Sequence, residues 1–367
     1  SVAASSTSQE VSSSDIKSDT ASIPKSDARL PYPNGPKNVA KYANDRVYCM
    51  VPFIWNEEMY NVIMKTWGKR CDVINFLTDA EVIDGGKLKG QNEIITESFK
   101  HYSEFPEGTF PENVHFVSMT RPWMGCKDSK TGKPTVCRHI WEKMWQSWIY
   151  VSDHHLNDAE WFCKVDYDTF FFPENLQYYV RDYKNWDPYN EHHYFGQVLS
   201  HHKPDMVAGA AACWSHKTLA AIADVYKNMP KGYQGRDRAR CEDRPQASEE
   251  ISTSVCLKKE LNVSAEPMRD DEMREYVTVD PYHNHLTWNR TEQGEWWFWK
   301  GKPTNVGQMD DCCSIRPMAF HKYKQKKQIE ELDQQFYGPA DNKEITKLNE
   351  RTRRYADKVR WAMGINQ

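Results

Sequence analysis

The chain has no apolar run long enough to cross a bilayer, which takes about 20 residues, and its mean hydropathy is low. It has no basic excess either. Lys and Arg number 48 against 52 Asp and Glu, for a formal net charge of −4, so no basic face advertises nucleic acid. None of its ten cysteines stands in a CxxC zinc pattern. No internal repeat is present, which removes solenoid and propeller architectures. An initiating Met is missing as well. The chain begins at Ser1, which predicts a leading segment trimmed from a longer precursor, with any signal anchor in that segment.

What is there points to the secretory route. Several of the ten cysteines sit near charged or turn residues, where an idle thiol is uncommon, so disulfides in an oxidising compartment are expected. Asn262-Val-Ser264 and Asn289-Arg-Thr291 have the form of N-glycosylation acceptors. Ten of the first 28 residues are Ser, too polar a composition to offset chain entropy. Residues 1–40 are therefore expected to be a disordered stem, ending at the proline-rich stretch Leu30–Pro36. The 367 residues can bury a large core, as one large or two small domains.

Order is expected from Arg46. Val47–Trp55 reads as a buried strand, Asn56–Trp67 as a helix opened by a capping Asn, and Cys71–Asp79 as a second strand. Such a β-α-β start implies a parallel sheet. Asn113–Ser118 gives a third strand. Pro122–Arg138 is polar and reads as a loop closed by Cys126 and Cys137. Ile140–Leu156 is a helix whose Trp141, Met144, Trp145, Trp148 and Ile149 share one face, a core pattern. Lys217–Tyr226 and Ser248–Leu261 are further helices, and Lys231–Gln246 is a charged loop. Glu249 and Glu250 fall in the first turn of the second helix, where acids meet the positive end of the helix dipole. Beyond Lys324 the chain is charged and helical, and a peripheral tail is expected.

The most informative stretch is Asp153–Val180. Asp166 and Asp168 follow an apolar segment, Trp161–Val165, and precede the apolar Phe170–Phe172. Two carboxylates on a bend between buried strands repel each other. A cation that takes oxygen ligands, Mn²⁺ or Mg²⁺, offsets that repulsion. An Asp-x-Asp triplet by itself is a weak signal among 52 acidic residues, since solvated turns carry it too.

Seven segments in order carry a stronger signal: TWGKRC (Thr66–Cys71), IWEK (Ile140–Lys143), HHLNDAEWFCKVDYDT (His154–Thr169), ENLQYYV (Glu174–Val180), WFW (Trp297–Trp299), DCCS (Asp311–Ser314) and FHKY (Phe320–Tyr323). Together they resemble the core 1 β1,3-galactosyltransferases (T-synthases), relatives of the Fringe glycosyltransferases, over roughly residues 46–323. The resemblance implies a GT-A type α/β fold with a Rossmann-like nucleotide-sugar half, spanning residues 41–325, with a charged helical extension over 326–367. It implies transfer of galactose from UDP-galactose to the 3-hydroxyl of N-acetylgalactosamine on Ser or Thr of a glycoprotein, with inversion and with Mn²⁺, Mg²⁺ being the alternative ion. It also implies a type II membrane protein of the Golgi or ER lumen. A homodimer is left open.

The resemblance extends to residues. Asp168 is implied as a metal ligand and Asp166 as a ligand or a hold on the ribose, with Tyr167 replacing the family's middle Asp. His321 matches the family's histidine ligand. Counting back from Cys256-Leu257 places Glu249 and Glu250 at the family's Glu-Asp-Val motif. That makes Glu250 the catalytic base, one methylene longer than the family's Asp, with Glu249 as the alternative. The family's Gly-Gly-Ala-Gly stretch is matched only in part, by Ala208, Gly209, Ala210 and Ala211. Trp297 and Trp299 are implied as an acceptor platform, against the alternative of a buried aromatic cluster. Lys143 is implied to offset diphosphate charge and Asp79 to touch uridine. Cys49 with Cys71 and Cys241 with Cys256 are the implied disulfides, the adjacent Cys312 and Cys313 also match, and Cys163 and Cys213 are left as free thiols. Two other functions stay open: transfer of a different UDP-sugar, such as the N-acetylglucosamine used by Fringe-like enzymes, and an inactive relative that binds glycopeptides or acts as a chaperone.

Overall fold

In the computed structural model, residues 45–78, 108–117, 119, 131–132, 139–230, 240–243, 248–339 and 341–365 are described, with the backbone alone of six short strand segments between 81 and 138. The Ser-rich leader and Asp79 lie outside the described residues.

A seven-stranded mixed sheet organises the molecule. Its strands are β1 (Val47–Pro52), β2 (Val73–Thr78), β3 (Val114–Phe116), β4 (Trp161–Val165), then β6 (Tyr194–Leu199), β7 (Met206–Ser215) and β8 (Glu266–Pro267), with β5 (Phe170–Phe171) set apart. The spatial order is β8-β6-β7-β4-β1-β2-β3. β1 pairs in parallel with both β2 and β4, β2 with β3, whereas β7 runs antiparallel to β4 and β6. This large mixed sheet in an α/β setting agrees with the GT-A-like expectation.

Alternation along the central strands builds two core layers. On one face lie Val47, Cys49, Val51, Trp161, Cys163 and Val165. Tyr48, Met50 and Phe162 point to the other, where they meet Trp141, Met144, Trp145 and Trp148 of helix α2 (Ile140–His155). Helices α3 (His216–Lys227) and α4 (Glu249–Leu261) cover the same face. On the opposite face, α1 (Glu57–Lys65) buries Met59, Val62 and Ile63, and its N-cap Asn56 accepts the Met59 amide at 2.9 Å. Such a cap is worth about 1 kcal/mol.

The structure changes several expectations. The C-terminal segment is not peripheral. Helices α5 (Lys326–Tyr337) and α6 (Glu350–Ala362) place Ile329, Leu332, Phe336, Tyr355, Ala356 and Val359 in the same core as β1 and β4. Most of their charged residues lie on the outer face, Arg360 being the buried exception, and mask that stripe in a composition count. The loop expected over Pro122–Arg138 is a hairpin of Trp123–Lys127 with Pro134–Arg138. The side chains of Cys126 and Cys137 lie outside the described set. Cys163 and Cys213, expected free, are disulfide-bonded. They stand opposite each other on β4 and β7, so the antiparallel register itself brings the sulfurs together. Cys49–Cys71, Cys241–Cys256 and Cys312–Cys313 are also bonded. Among the described residues no helix is long and apolar enough to cross a membrane.

Candidate metal and transfer site

β1 has β2 on one side and β4 on the other, all parallel. The crevice at the carboxyl ends of such strands, where the connection order reverses, is where open α/β sheets bind ligands. Asp166 is the first residue beyond β4. Its amide donates to the Ala210 carbonyl at 3.3 Å, and the Thr169 amide donates back to the Asp166 carbonyl at 2.9 Å, closing a tight bend. The bend carries Tyr167, which is exposed, and Asp168, which is buried.

A second, small sheet completes the group. β5, immediately after the bend, pairs antiparallel with β10 (Ala319–Phe320), which pairs in parallel with β9 (Val277–Thr278). Phe170 stands opposite Phe320, so Asp168 and His321 emerge at the same end of the ladder. The Tyr323 amide then bonds the Asp168 carbonyl at 2.8 Å. His321 Nε2 lies 3.1 Å from Asp168 Oδ1 and 3.7 Å from Asp166 Oδ2. One ligand atom from each of the three residues falls within 4.8 Å of the other two.

The donor set suits a hard divalent cation. His321 Nδ1 faces the Val279 carbonyl at 3.2 Å. A carbonyl only accepts, so Nδ1 donates its N–H there, and Nε2, which faces the two carboxylates, is the nitrogen that would ligate an ion. Two carboxylates and one imidazole form a nitrogen-oxygen set that leaves room for further oxygen ligands. Burial pushes the Asp166 carboxyl above its ordinary value, with Lys164 and His321 pulling it back. Burial acts the same way on Asp168, but the hydrogen bond and charge of His321, with Lys324, outweigh it and hold that carboxyl below its ordinary range.

Beside this group lies a second carboxylate pair on the first turn of α4. Glu249 is buried and accepts a short hydrogen bond from Lys164 Nζ. Burial pushes the Glu249 carboxyl up to about 7 against the Lys164 charge. Glu250 is less buried, and its Oε2 accepts from Ser248 Oγ at 2.6 Å. Gly209 of β7 separates the pairs. A Cβ there would sit 2.9 Å from Glu250 Oε1 and 3.2 Å from Asp166 Oδ2. Only a residue without a side chain leaves that space between the two carboxylates.

The remaining expected site residues lie in other settings. Lys143 is buried and donates to the Phe53 carbonyl at the end of β1. Trp299 is only 1 % exposed, and its indole donates to Gln293 at 2.8 Å, so the aromatic-cluster alternative describes it. Trp297 is 36 % exposed at the edge of that cluster. Lys164 was not singled out in the sequence. Its signal is a lone lysine inside the apolar strand WFCKV, which burial obliges to find partners.

No protein-family model matches the chain. A stretch of 184 residues is 24 % identical to the glycoprotein-N-acetylgalactosamine 3-beta-galactosyltransferase 1 of Xenopus laevis. The match covers 50 % of this chain and 47 % of that protein, so the chain spans about half the length of its relative. The similarity supports a glycosyltransferase. Beside it, Asp166, Asp168 and His321 form a group able to hold a metal ion, which is consistent with a metal-dependent glycosyltransferase. The Fringe enzymes do not enter this match.

Proposed function

We propose that the protein is a metal-dependent, inverting glycosyltransferase that moves galactose from UDP-galactose to the 3-hydroxyl of N-acetylgalactosamine on a glycoprotein. The observation that carries the proposal is the convergence of the Asp166, Asp168 and His321 group with Glu250 across Gly209. The name of the Xenopus relative, a glycoprotein-N-acetylgalactosamine 3-beta-galactosyltransferase, supplies the sugar and the acceptor. Mn²⁺, or Mg²⁺ in its place, held by Asp168, His321 and Asp166, would supply Lewis acidity toward the diphosphate.

The chain's own residues supply the rest. A sugar hydroxyl is a poor nucleophile while protonated. Glu250 Oε1, the oxygen not engaged by Ser248, takes that proton. The acceptor oxygen bonds to the anomeric carbon as the bond from that carbon to UDP breaks on the opposite face. One displacement inverts the configuration, and no covalent enzyme intermediate forms. Glu249 is the weaker candidate for the base, because it is buried and committed to Lys164. Trp297, with its open face, is the acceptor-stacking residue we favour of the two tryptophans. Lys143 stands at the end of β1 and acts on donor charge from there. The disulfides fit an oxidising lumen, and we place the protein in the Golgi or ER.

The test is UDP release by the purified chain with Mn²⁺, a panel of UDP-sugars and N-acetylgalactosaminyl peptides. Acceptor-dependent release with UDP-galactose alone supports the proposal. Release with another donor replaces the sugar. Mn²⁺-dependent nucleotide binding without release from any donor replaces the enzyme with an inactive glycopeptide-binding relative.

A further inference from the structure

Lys164 is the one charged residue of β4, and its side chain is 5 % exposed. An ammonium has three N–H donors, and three acceptors surround this one. Asp166 Oδ1 lies at 3.0 Å, the Gly209 carbonyl at 3.2 Å, and Glu249 Oε1 makes the short contact described above. The three acceptors belong to three elements: the metal-binding bend, β7, and the first turn of α4. Position 164 stands opposite Ala212 in the β4–β7 ladder. The lysine therefore reaches across the face of the sheet that α4 covers.

We propose that Lys164 is a positioning residue for the metal group, turning Asp166 Oδ2 toward the ion by engaging Oδ1 and fixing the turn of α4 that carries Glu250 by engaging Glu249. The inference rests on the metal-dependent reading above. A carboxylate free to rotate presents either oxygen. The bond from Lys164 to Oδ1 removes that ambiguity and leaves Oδ2 as the oxygen 3.7 Å from His321 Nε2. Lys164 also supplies one positive charge among four carboxylates, Asp166, Asp168, Glu249 and Glu250, which would otherwise repel one another before any ion arrives. Burial would lower the Lys164 ammonium, but Asp166, Glu249 and Glu250 outweigh it and hold the residue charged. An ion pair with only a structural role would stabilise the fold and leave metal affinity unchanged, which separates the two roles.

The experiment measures Mn²⁺ binding to the full chain from the loss of the free Mn²⁺ electron paramagnetic signal, beside thermal melting without metal. Lys164→Met with Glu249→Gln removes the buried charge pair as a unit. It is expected to melt within a few degrees of the wild type and to bind Mn²⁺ about tenfold more weakly, the range in which outer partners of metal ligands act. Glu249→Gln alone keeps the Lys164–Asp166 contact and should stay within about threefold of wild-type affinity. If the double variant fails to fold, Lys164→Arg decides. It keeps the charge, but a planar fork cannot meet three convergent acceptors, so weaker Mn²⁺ binding is expected. Wild-type affinity in the folded double variant or in Lys164→Arg overturns the proposal, as does a loss in Glu249→Gln as large as in the double variant. Asp168→Ala is the control. If it abolishes Mn²⁺ binding while the Lys164 variants bind normally, only the role of Lys164 falls. If it binds Mn²⁺ normally, the metal site itself falls and the positioning role with it.

Discussion

His321 Nε2 lies 3.1 Å from Asp168 Oδ1 because Phe320, next to His321, and Phe170, two residues beyond Asp168, are paired across the small sheet. A two-residue ladder thus joins the middle of the chain to its C-terminal third at the metal group. Val279 sets the ring by occupying Nδ1, so the ligand geometry depends on β9 as well.

Loss of either partner should remove the metal. Asp168→Ala and His321→Ala are each expected to weaken Mn²⁺ binding by more than the roughly 10- to 100-fold that loss of an outer partner costs. Isothermal titration with Mn²⁺ and UDP checks this, and unchanged affinity in either variant removes that residue from the group.

Glu250→Gln should separate chemistry from binding. The variant keeps shape and the Ser248 contact but loses the basic site. Turnover is expected to fall roughly 10²- to 10⁴-fold, with UDP-sugar affinity unchanged. Steady-state kinetics with donor titration gives the answer. Full turnover would hand the role of base to another group.

Gly209→Ala places a methyl 2.9 Å from Glu250 Oε1 and 3.2 Å from Asp166 Oδ2. Both atoms end side chains and can move aside, so stability should change little. Turnover should fall with the shift, because attack geometry tolerates little displacement. A drop of at least about tenfold in kcat is expected, with melting within a few degrees of the wild type.

Glu249 predicts a pH dependence of stability. Burial raises its folded value to about 7 from an ordinary 4.5. Between these values the folded state holds more of the proton than the unfolded state, so stability falls as pH rises through that window. The contribution is fully present below 4.5 and is lost above about 7, amounting to roughly 3 kcal/mol at most. Urea denaturation of wild type and Glu249→Gln at pH 5 and pH 8 should show the wild type losing stability relative to the variant. A constant difference would mean the carboxyl is not raised.

Removal of the Cys163–Cys213 bridge by double substitution to Ala should cost about 4 kcal/mol on a chain-entropy estimate for a sequence separation of 50 residues. Denaturant unfolding of the double variant measures it. A loss below 1 kcal/mol would mean that the β4–β7 ladder holds its register without the bond.

Much of the frame was legible in the residues. Val47–Pro52 and Val73–Thr78 are short apolar runs on either side of an Asn-capped amphipathic segment, and local pattern alone makes them β-α-β. The tryptophan face of α2 was legible for the same reason. The strand Tyr194–Leu199 was not assigned, since its sequence YFGQVL has neither a clear period nor flanking punctuation. The C-terminal helices were misplaced because net composition hides a narrow apolar stripe that only packing reveals.

The amino-acid order by itself determined the Asp-Tyr-Asp bend, since two acids between apolar strands can only lie at a strand end, and it determined the first turn that carries Glu249 and Glu250. His321, one of 13 histidines, was singled out by family resemblance, and tertiary structure alone brought it to that bend, decided which cysteines pair across β4 and β7, and let Lys164 join the two acidic pairs. These are contacts between segments far apart along the chain. Their partners are chosen by sheet register and burial, which no local pattern of residues encodes.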